Sequence, residues 1–329
     1  MDASIFIVWH VSADVRGVLP QVLNKYGELH AAHGVDMEPI KSGRIYVAPP
    51  DFHLLIEKDV VRVTHGPKEN RFRPAVDPLF RSAAYTYGSR VIGVVLSGAL
   101  DDGSAGLWTV KEYGGVAVVQ DPSDAEVPSM PENAMRAVDV DYKVPIEDMA
   151  ELLVKLSNEY LGSSSEREKK MDERTEMEIK FAMEEPGLKY NLFEHGELTP
   201  YTCPECHGVL TAIKEGKRIR FRCHTGHAFS ADSLLATITE SIEDSLWNAI
   251  RSIQESVLLL NHMGDHFAEA DQPKLAAMYF KKAKEAQEQV GTVRQAVLRH
   301  ERLSGAKLRQ ETELQESRAT KAKSNGSPS

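Results

Sequence analysis

The run Val91–Leu107, VIGVVLSGALDDGSAGL, constrains the fold more than any other stretch. Val91 to Leu96 is continuously apolar and rich in valine, which fits a short buried strand. It stops at Ser97-Gly98. Two adjacent acids, Asp101-Asp102, follow before Gly103, Gly106 and a helical pattern. A strand feeding a loop and then a helix is the unit of a parallel α/β sheet. In such open sheets, sites gather in the crevice beyond the carboxyl ends of the strands. A second strand, Ile5–Trp9, also ends on an ionisable residue, His10. An imidazole and a carboxylate leaving two strand ends are two of the three parts of a Ser-His-Asp hydrolase.

The same alternation runs through residues 1–161. Strands are expected at Ile5–Trp9, Arg44–Val47, Val91–Leu96 and Val116–Val119. A small hairpin is expected from His53–Glu57 and Val60–Thr64, and helices at Val15–Tyr26, Asp77–Tyr87, Gly106–Tyr113, Glu132–Ala137 and Ile146–Leu161. This predicts an α/β fold with a mainly parallel, doubly wound sheet into which the hairpin is inserted. Residues 162–198 read as a linker. Gly162-Ser-Ser-Ser165 breaks the pattern, and Glu166–Glu185 carries eight acids and five bases, as a solvated helix or a disordered linker would. Residues 199–230 hold every cysteine. Residues 231–305 show apolar spacing for two antiparallel helices, Ser233–His266 and Lys274–Leu303, with Pro273 between them. Residues 306–329 are polar and are expected to be disordered.

Two adjacent acids after a buried strand divide the work. One of them can turn or cap, as Asp101 could at the helix beginning near Ser104, which leaves the other to face the crevice. Gly98 and Gly103 permit tight turns that could aim N–H groups at an oxyanion. The loop lacks the Gly-Lys-Ser/Thr of a P-loop and the G-x-G-x-x-G of a dinucleotide site. No G-x-S-x-G elbow occurs, and the order His then Asp is not that of α/β-hydrolases.

The runs IFIVWHVS, GRIYVAPPDFHLLIE, GPKENRFRPAVDPLFRSAA, VIGVVLSGALDDGSAGL and VVQDPSDAEVPSMPENAM resemble, in family order, the catalytic domain of CheB-type chemotaxis methylesterases. The resemblance covers about residues 3–155. It implies a carboxylic ester hydrolase of phosphorelay signalling that acts on glutamate γ-methyl esters of methyl-accepting chemotaxis receptors, with glutamine deamidation in some relatives. It implies His10 and Asp102 as the catalytic pair, no catalytic cofactor, and Met130-Pro131 at the rim of the site. The family nucleophile is a serine in a Gly-Ala-Ser-x-Gly-Gly loop after a strand that precedes the His-bearing strand. No Ser-x-Gly-Gly occurs among the 329 residues, and Ser4, Ser12 and Ser97 match non-nucleophilic positions. Either the true start lies further upstream, or the chain is an inactive interaction protein that docks on receptors or signalling partners. The apolar edge left by a missing strand favours the first. A receiver domain, which many relatives carry, is not recognised in the sequence.

Cys203-Pro-Glu-Cys206 and Cys223-His-Thr-Gly-His227 have zinc-ribbon spacing, so Cys203, Cys206, Cys223 and His227 are the expected ligands of a structural zinc, with His224 as runner-up. Val209–Leu210 and Ile219–Phe221 would be the ribbon strands, with Gly208 and Gly226 in the knuckle turns. Lys214, Lys217, Arg218, Arg220 and Arg222 form a basic strip that could meet nucleic acid. The net charge of −10 makes protein docking the better expectation. Apolar stripes on the two C-terminal helices fit a mutual core, or a receptor bundle or second protomer. A response regulator or a methyltransferase is a further candidate partner. No run approaches the ~18 apolar residues of a membrane span. No signal peptide is expected from MDASIFIVWH, which lacks a basic segment and a cleavage site, and the odd cysteine count suits a reducing cytoplasm.

Overall fold

The computed structural model describes residues 3–15, 17–159, 173–183, 196–215, 218–305, 307–309 and 311–312. The chain divides into two compact units, Met1–Leu234 and Leu235–Ser329.

The first unit opens β1 (Ile5–Ile7), α1 (Leu19–Tyr26), β2 (His30–His33), β3 (Arg44–Val47), β4 (His53–Glu57), β5 (Val60–Thr64) and α2 (Val76–Tyr87). It continues β6 (Ile92–Val95), α3 (Ser104–Glu112), β7 (Val116–Gln120), α4 (Ser129–Ala137), β8 (Tyr142–Val144) and α5 (Ile146–Glu159). The strands form two parallel three-stranded sheets, β1-β3-β2 and β6-β7-β8, and an antiparallel hairpin, β4-β5. Alternation along the strands sends side chains to two layers, as period-2 geometry requires. Val116 and Val118 pack on Met149 and Leu156 of α5. Ala117 and Val119 face the other way, into a core shared with Leu107, Val110 and Ala134 of α3 and α4. Ile5, Ile7, Ile45 and Val47 meet α1, while Phe6 and Tyr46 enter the same central core as Val95. Each parallel sheet is thus packed on both faces, the doubly wound arrangement that the sequence predicts.

Two strands of the α/β part escape the sequence pattern. β2, HAAH, and β8, YKV, are short and lack a run of β-branched residues. They form because neighbours offer parallel ladders. Helix α1 starts at Leu19 rather than Val15, because Pro20 fits only a first turn. A side chain at Gly17 would also meet His33 at 2.7 Å.

Both β1 and β6 pair on one side only among the described residues. For parallel strands this is unusual. All three β1 residues are only half-buried, and Trp9 beyond them is 51% exposed.

Within the stretch read as a charged linker, α6 (Glu173–Ala182) packs rather than floats. Met177 and Phe181 meet Ile213, and Ile179 and Ala182 meet Leu55. The Gly162–Ser165 break and residues 166–172 and 184–195 of the linker fall outside the described residues. The cysteine-bearing region is a four-stranded antiparallel sheet with order β12-β11-β10-β9. Its strands are β9 (Glu197–Thr202), β10 (Val209–Glu215), β11 (Arg218–Cys223) and β12 (Ala228–Ser230). It is joined to the α/β part by buried charge. Glu69 accepts hydrogen bonds from Arg81 of α2 and, at 2.9 and 3.3 Å, from Arg222 and Arg220 of β11. Glu178 of α6 accepts from Arg220 at 3.0 Å and from Arg222 Nε at 2.9 Å. Burial raises both acids, but the surrounding guanidinium charges outweigh it. Glu69 is held far below the carboxylate range and Glu178 at about 2. The arginines of the expected basic strip are therefore not a free cationic surface, Lys214 pairs with Glu197 at 3.3 Å, and Lys217 lies outside the described residues. Arg220 and Arg222 are buried, and Arg218 lies over the Trp108 ring at 5.7 Å.

In the second unit, α7 (Ala231–Glu269, which begins within the first) runs against α8 (Pro273–Arg299). Ile250, Val290 and Val297 form the seam, and Phe267 stacks on Tyr279 at 5.2 Å. The stripes thus serve a mutual core, while Leu258, Leu259, Met278 and Leu298 remain exposed.

Breaking a buried ion pair leaves an unpaired charge and costs about 3–5 kcal/mol. Arg222→Met is expected to lose stability in that range in urea titrations. Because Glu69 and Glu178 titrate below their ordinary 4.5, their contribution is full above that pH. It should fall away towards pH 2 in the wild type, and less steeply in the variant.

Candidate functional site

β1 and β6 end side by side in function if not in hydrogen bonding. His10 leaves the first and Asp102 the second. His10 Nε2 and Asp102 Oδ2 lie 2.7 Å apart across 92 residues of sequence. The Asp102 carboxylate is 1% exposed. A buried charge must be hydrogen-bonded, and every oxygen here is. Oδ2 also accepts the Val76 N–H at 2.7 Å. Oδ1 accepts the Asn70 amide at 3.0 Å and the Asp77 N–H at 3.3 Å. Val76 and Asp77 are the first turn of α2, so the carboxylate sits at a helix N-terminus, where anions are favoured. Burial pushes the carboxyl up, but the His10 hydrogen bond and charge, the Val76 N–H and the Asn70 amide outweigh it and hold it below its ordinary value.

The His10 ring stacks on Phe72 at 4.2 Å and 13°. With Nε2 on the carboxylate, Nδ1 is the nitrogen left to accept a proton, and the Asp102 bond fixes that tautomer. This pair can take a proton from a hydroxyl and hold the charge produced.

Of the two readings of the neighbouring acid, the structure gives the turn and not the cap. The cap of α3 is Gly103, at φ 85°, which has no side chain of its own to bond the helix. Asp101 contributes only its carbonyl, which accepts the Ser104 N–H at 3.1 Å. Its carboxyl accepts the Ser230 hydroxyl at 2.7 Å. Burial first, and then the nearby Asp232, Asp77 and Asp102 charges, raise it to about 7 against that hydrogen bond. Asp77, which sequence reasoning did not single out, is raised to about 6 by burial and the Asp102 charge. It accepts the Gly106 N–H at 2.6 Å and the Asn70 amide at 2.9 Å.

Gly98 is not free to serve an oxyanion either. Its N–H donates to Val127 O at 2.9 Å, and a side chain there would meet Met130 Sδ at 2.2 Å. Met130 is thereby seated against the loop that precedes Asp102. Two of the serines weighed as nucleophiles are bonded elsewhere. Ser4 Oγ donates to Lys41 O at 3.0 Å, and Ser97 Oγ accepts the Val127 N–H at 2.9 Å.

The second constellation is Cys203, Cys206, Cys223 and His227, whose ligand atoms all lie within 4.8 Å of one another. Cys206 Sγ and Cys223 Sγ are 3.6 Å apart, as are Cys223 Sγ and His227 Nδ1. Bond lengths of about 2.3 Å for Zn–S and about 2.0–2.1 Å for Zn–N predict tetrahedral edges of roughly 3.8 and 3.6 Å, and these two separations match them. The first knuckle turns on His207, at φ 61°, and the second on Gly226, at φ 102°. Gly208 is needed instead for close approach, since a side chain there would meet His224 at 2.6 Å. His224 is outside the cluster.

The CheB methylesterase family model matches residues 1–153. A putative protein-glutamate methylesterase/protein-glutamine glutaminase of Leptospira interrogans is 44% identical over 158 residues, which cover 48% of this chain and 82% of that protein. A protein of Rhodospirillum rubrum named protein-glutamate methylesterase/protein-glutamine glutaminase 1 is 34% identical, over 47% of this chain and 41% of its own. The crystal structure of the Thermotoga maritima CheB methylesterase catalytic domain is 33% identical, with a TM-score of 0.45 over 47% of this chain and 84% of that one.

An acid raised in the fold loses its stabilising protonated form as pH rises. Asp101 should therefore cost stability between its ordinary 3.8 and about 7. Asp101→Asn keeps the acceptor for Ser230 and removes the charge. Its melting temperature should exceed the wild type's at pH 8 and match it near pH 4. Parallel pH profiles would contradict the assignment.

Proposed function

We infer the function from one premise: the chain belongs to the CheB methylesterase family. Its members here carry the name of a protein-glutamate methylesterase, a carboxylic ester hydrolase, paired with protein-glutamine glutaminase. We propose that His10 is the general base and Asp102 the residue that orients it. The observation that carries this reading is the 2.7 Å Nε2···Oδ2 bond between two side chains leaving the carboxyl ends of parallel strands.

In the proposed reaction, His10 Nδ1 removes the proton from a serine hydroxyl as its oxygen attacks the γ-carbonyl of a methylated glutamate. Nε2–H stays on Asp102, which stabilises the imidazolium. The proton passes to the departing methoxide, and methanol leaves. Water, deprotonated by the same imidazole, then releases glutamate from the acyl-enzyme. A glutamine substrate would lose ammonia in place of methanol.

Residues 1–329 hold the base and its orienter but no family-type serine loop. We propose that the serine belongs to a further parallel strand seated between β1 and β6. The open edges of both strands and the half-buried faces of β1 support this. The competing reading, an inactive member that only docks on receptors, is favoured by Ser4 and Ser97 being committed elsewhere. The proposed setting is cytoplasmic chemotaxis signalling on methylated receptor helices, with a response regulator or methyltransferase as further partner. No helix among the described residues is long and apolar enough to cross a membrane.

We also propose that Cys203, Cys206, Cys223 and His227 hold zinc. Four protein ligands leave no open position, so the ion would stabilise the sheet and take no part in hydrolysis.

With a Gly-Ala-Ser-x-Gly-Gly strand and loop placed ahead of Met1, the chain is expected to release methanol from methylated receptor. His10→Ala should lower turnover by about 10⁴–10⁶-fold. Methanol release by residues 1–329 unaided, or none with the added strand, would overturn the reading. Metal analysis should find one zinc per chain, lost in Cys203→Ser together with several degrees of melting temperature.

A further inference from the structure

Asn70 stands at the junction between the His10–Asp102 pair and the cysteine-bearing sheet. Its side chain is 2% exposed and uses its whole hydrogen-bonding capacity, two donors and two lone pairs. Nδ2 donates to Asp102 Oδ1 at 3.0 Å and to Asp77 Oδ2 at 2.9 Å. Oδ1 accepts the Ser230 N–H at 3.0 Å and the Ser233 hydroxyl at 3.2 Å. The partners settle which end is which, because two carboxylates demand donors and the Ser230 N–H demands an acceptor. The backbone is held as well. Asn70 N–H donates to Ala228 O at 2.8 Å, Ala228 N–H donates to Lys68 O at 3.2 Å, and Glu69 bridges Ala228 in parallel register. The loop 68–70 thus pairs with β12, the strand directly after His227. Asn70 lies at φ 49°, in the left-handed region that asparagine tolerates better than most residues.

We propose that Asn70 is a positioning residue for Asp102 and that β12 and the first turn of α7 hold it in place. The sheet that carries the cysteines is then part of the site's scaffold and not an appendage to it. The amide does two things for Asp102. It supplies a donor to the oxygen that His10 does not bind. It also separates Asp102 from Asp77, two buried acids that would otherwise face each other undamped. Released from Ser230 and Ser233, the amide could rotate, and Asp102 could follow it away from the bond to His10. The proposal rests on Asp102 orienting His10, but it concerns the hydrogen bond between them and not the esterase step.

The test reads that bond directly in the full 329-residue chain. The His10 Nε2 proton, assigned by its loss in His10→Ala, should give a downfield proton resonance through its bond to Asp102. Asn70→Gly keeps the positive φ and removes the amide. Asn70→Asp keeps the shape and removes the donor. Both are expected to shift the resonance upfield or broaden it away. Ser82→Ala removes a buried hydrogen bond on α2 that does not reach Asp102, and serves as the stability control. It should lower the melting temperature and leave the resonance in place. An unchanged resonance in folded Asn70→Gly and Asn70→Asp would overturn the proposal. Should neither fold, the Ser230→Pro/Ser233→Ala double variant, which removes the backbone N–H and the hydroxyl that Oδ1 accepts, is read the same way, and an unmoved resonance there overturns it too. Because methanol release is not the readout, the outcome is independent of whether the esterase reading stands.

Discussion

The buried carboxylate of Asp102 is the constraint around which the α/β part is arranged. An acid 1% exposed must be neutralised or surrounded by donors. Here it is surrounded, by an imidazole, an amide and the first two N–H groups of α2. The four donors come from three stretches of chain, so satisfying one side chain fixes the end of β1, the loop before α2 and the start of α2 together. The same requirement keeps a proton acceptor free on the other nitrogen of His10.

A second buried electrostatic cluster explains why the cysteine-bearing sheet belongs with the α/β part. Glu69 and Glu178 sit among Arg81, Arg220 and Arg222, all nearly inaccessible. Such pairs contribute little net energy over a hydrophobic contact but tolerate no missing partner. They therefore specify one docking of α6 and β11 rather than several. Glu69 of this cluster is adjacent to Asn70, so the loop that pairs with β12 serves both the ion cluster and the Asp102 site.

Composition misleads most where charge is buried. Glu166–Glu185 reads as solvated because it is dense in charge, yet Glu178 and its neighbours are buried against partners far away in sequence. The arginines of β11 read as a cationic strip for the same reason. Asn70 and Asp77 lie inside the run GPKENRFRPAVDPLFRSAA with no local sign of their roles. Only the pairing of loop 68–70 with β12, about 160 residues on, gives Asn70 its acceptor-side partners.

What the sequence by itself determined is what depends on local pattern. Apolar runs of strand length alternating with helical spacing establish the parallel α/β class, because each element must bury one or both faces. The C-x2-C and C-x3-H spacings bring four soft ligands together, because knuckle turns are short. The position of His10 and Asp102 just past strand ends marks them as candidates. The tertiary structure alone decided that Asp101 turns to Ser230 and not to α3, that Gly98 serves Met130, and that a short HAAH segment becomes a strand. It alone decided, too, that acids and arginines of opposite halves neutralise each other. These outcomes follow from which groups meet across long separations, and burial, not composition, sets the cost of leaving any of them unpaired.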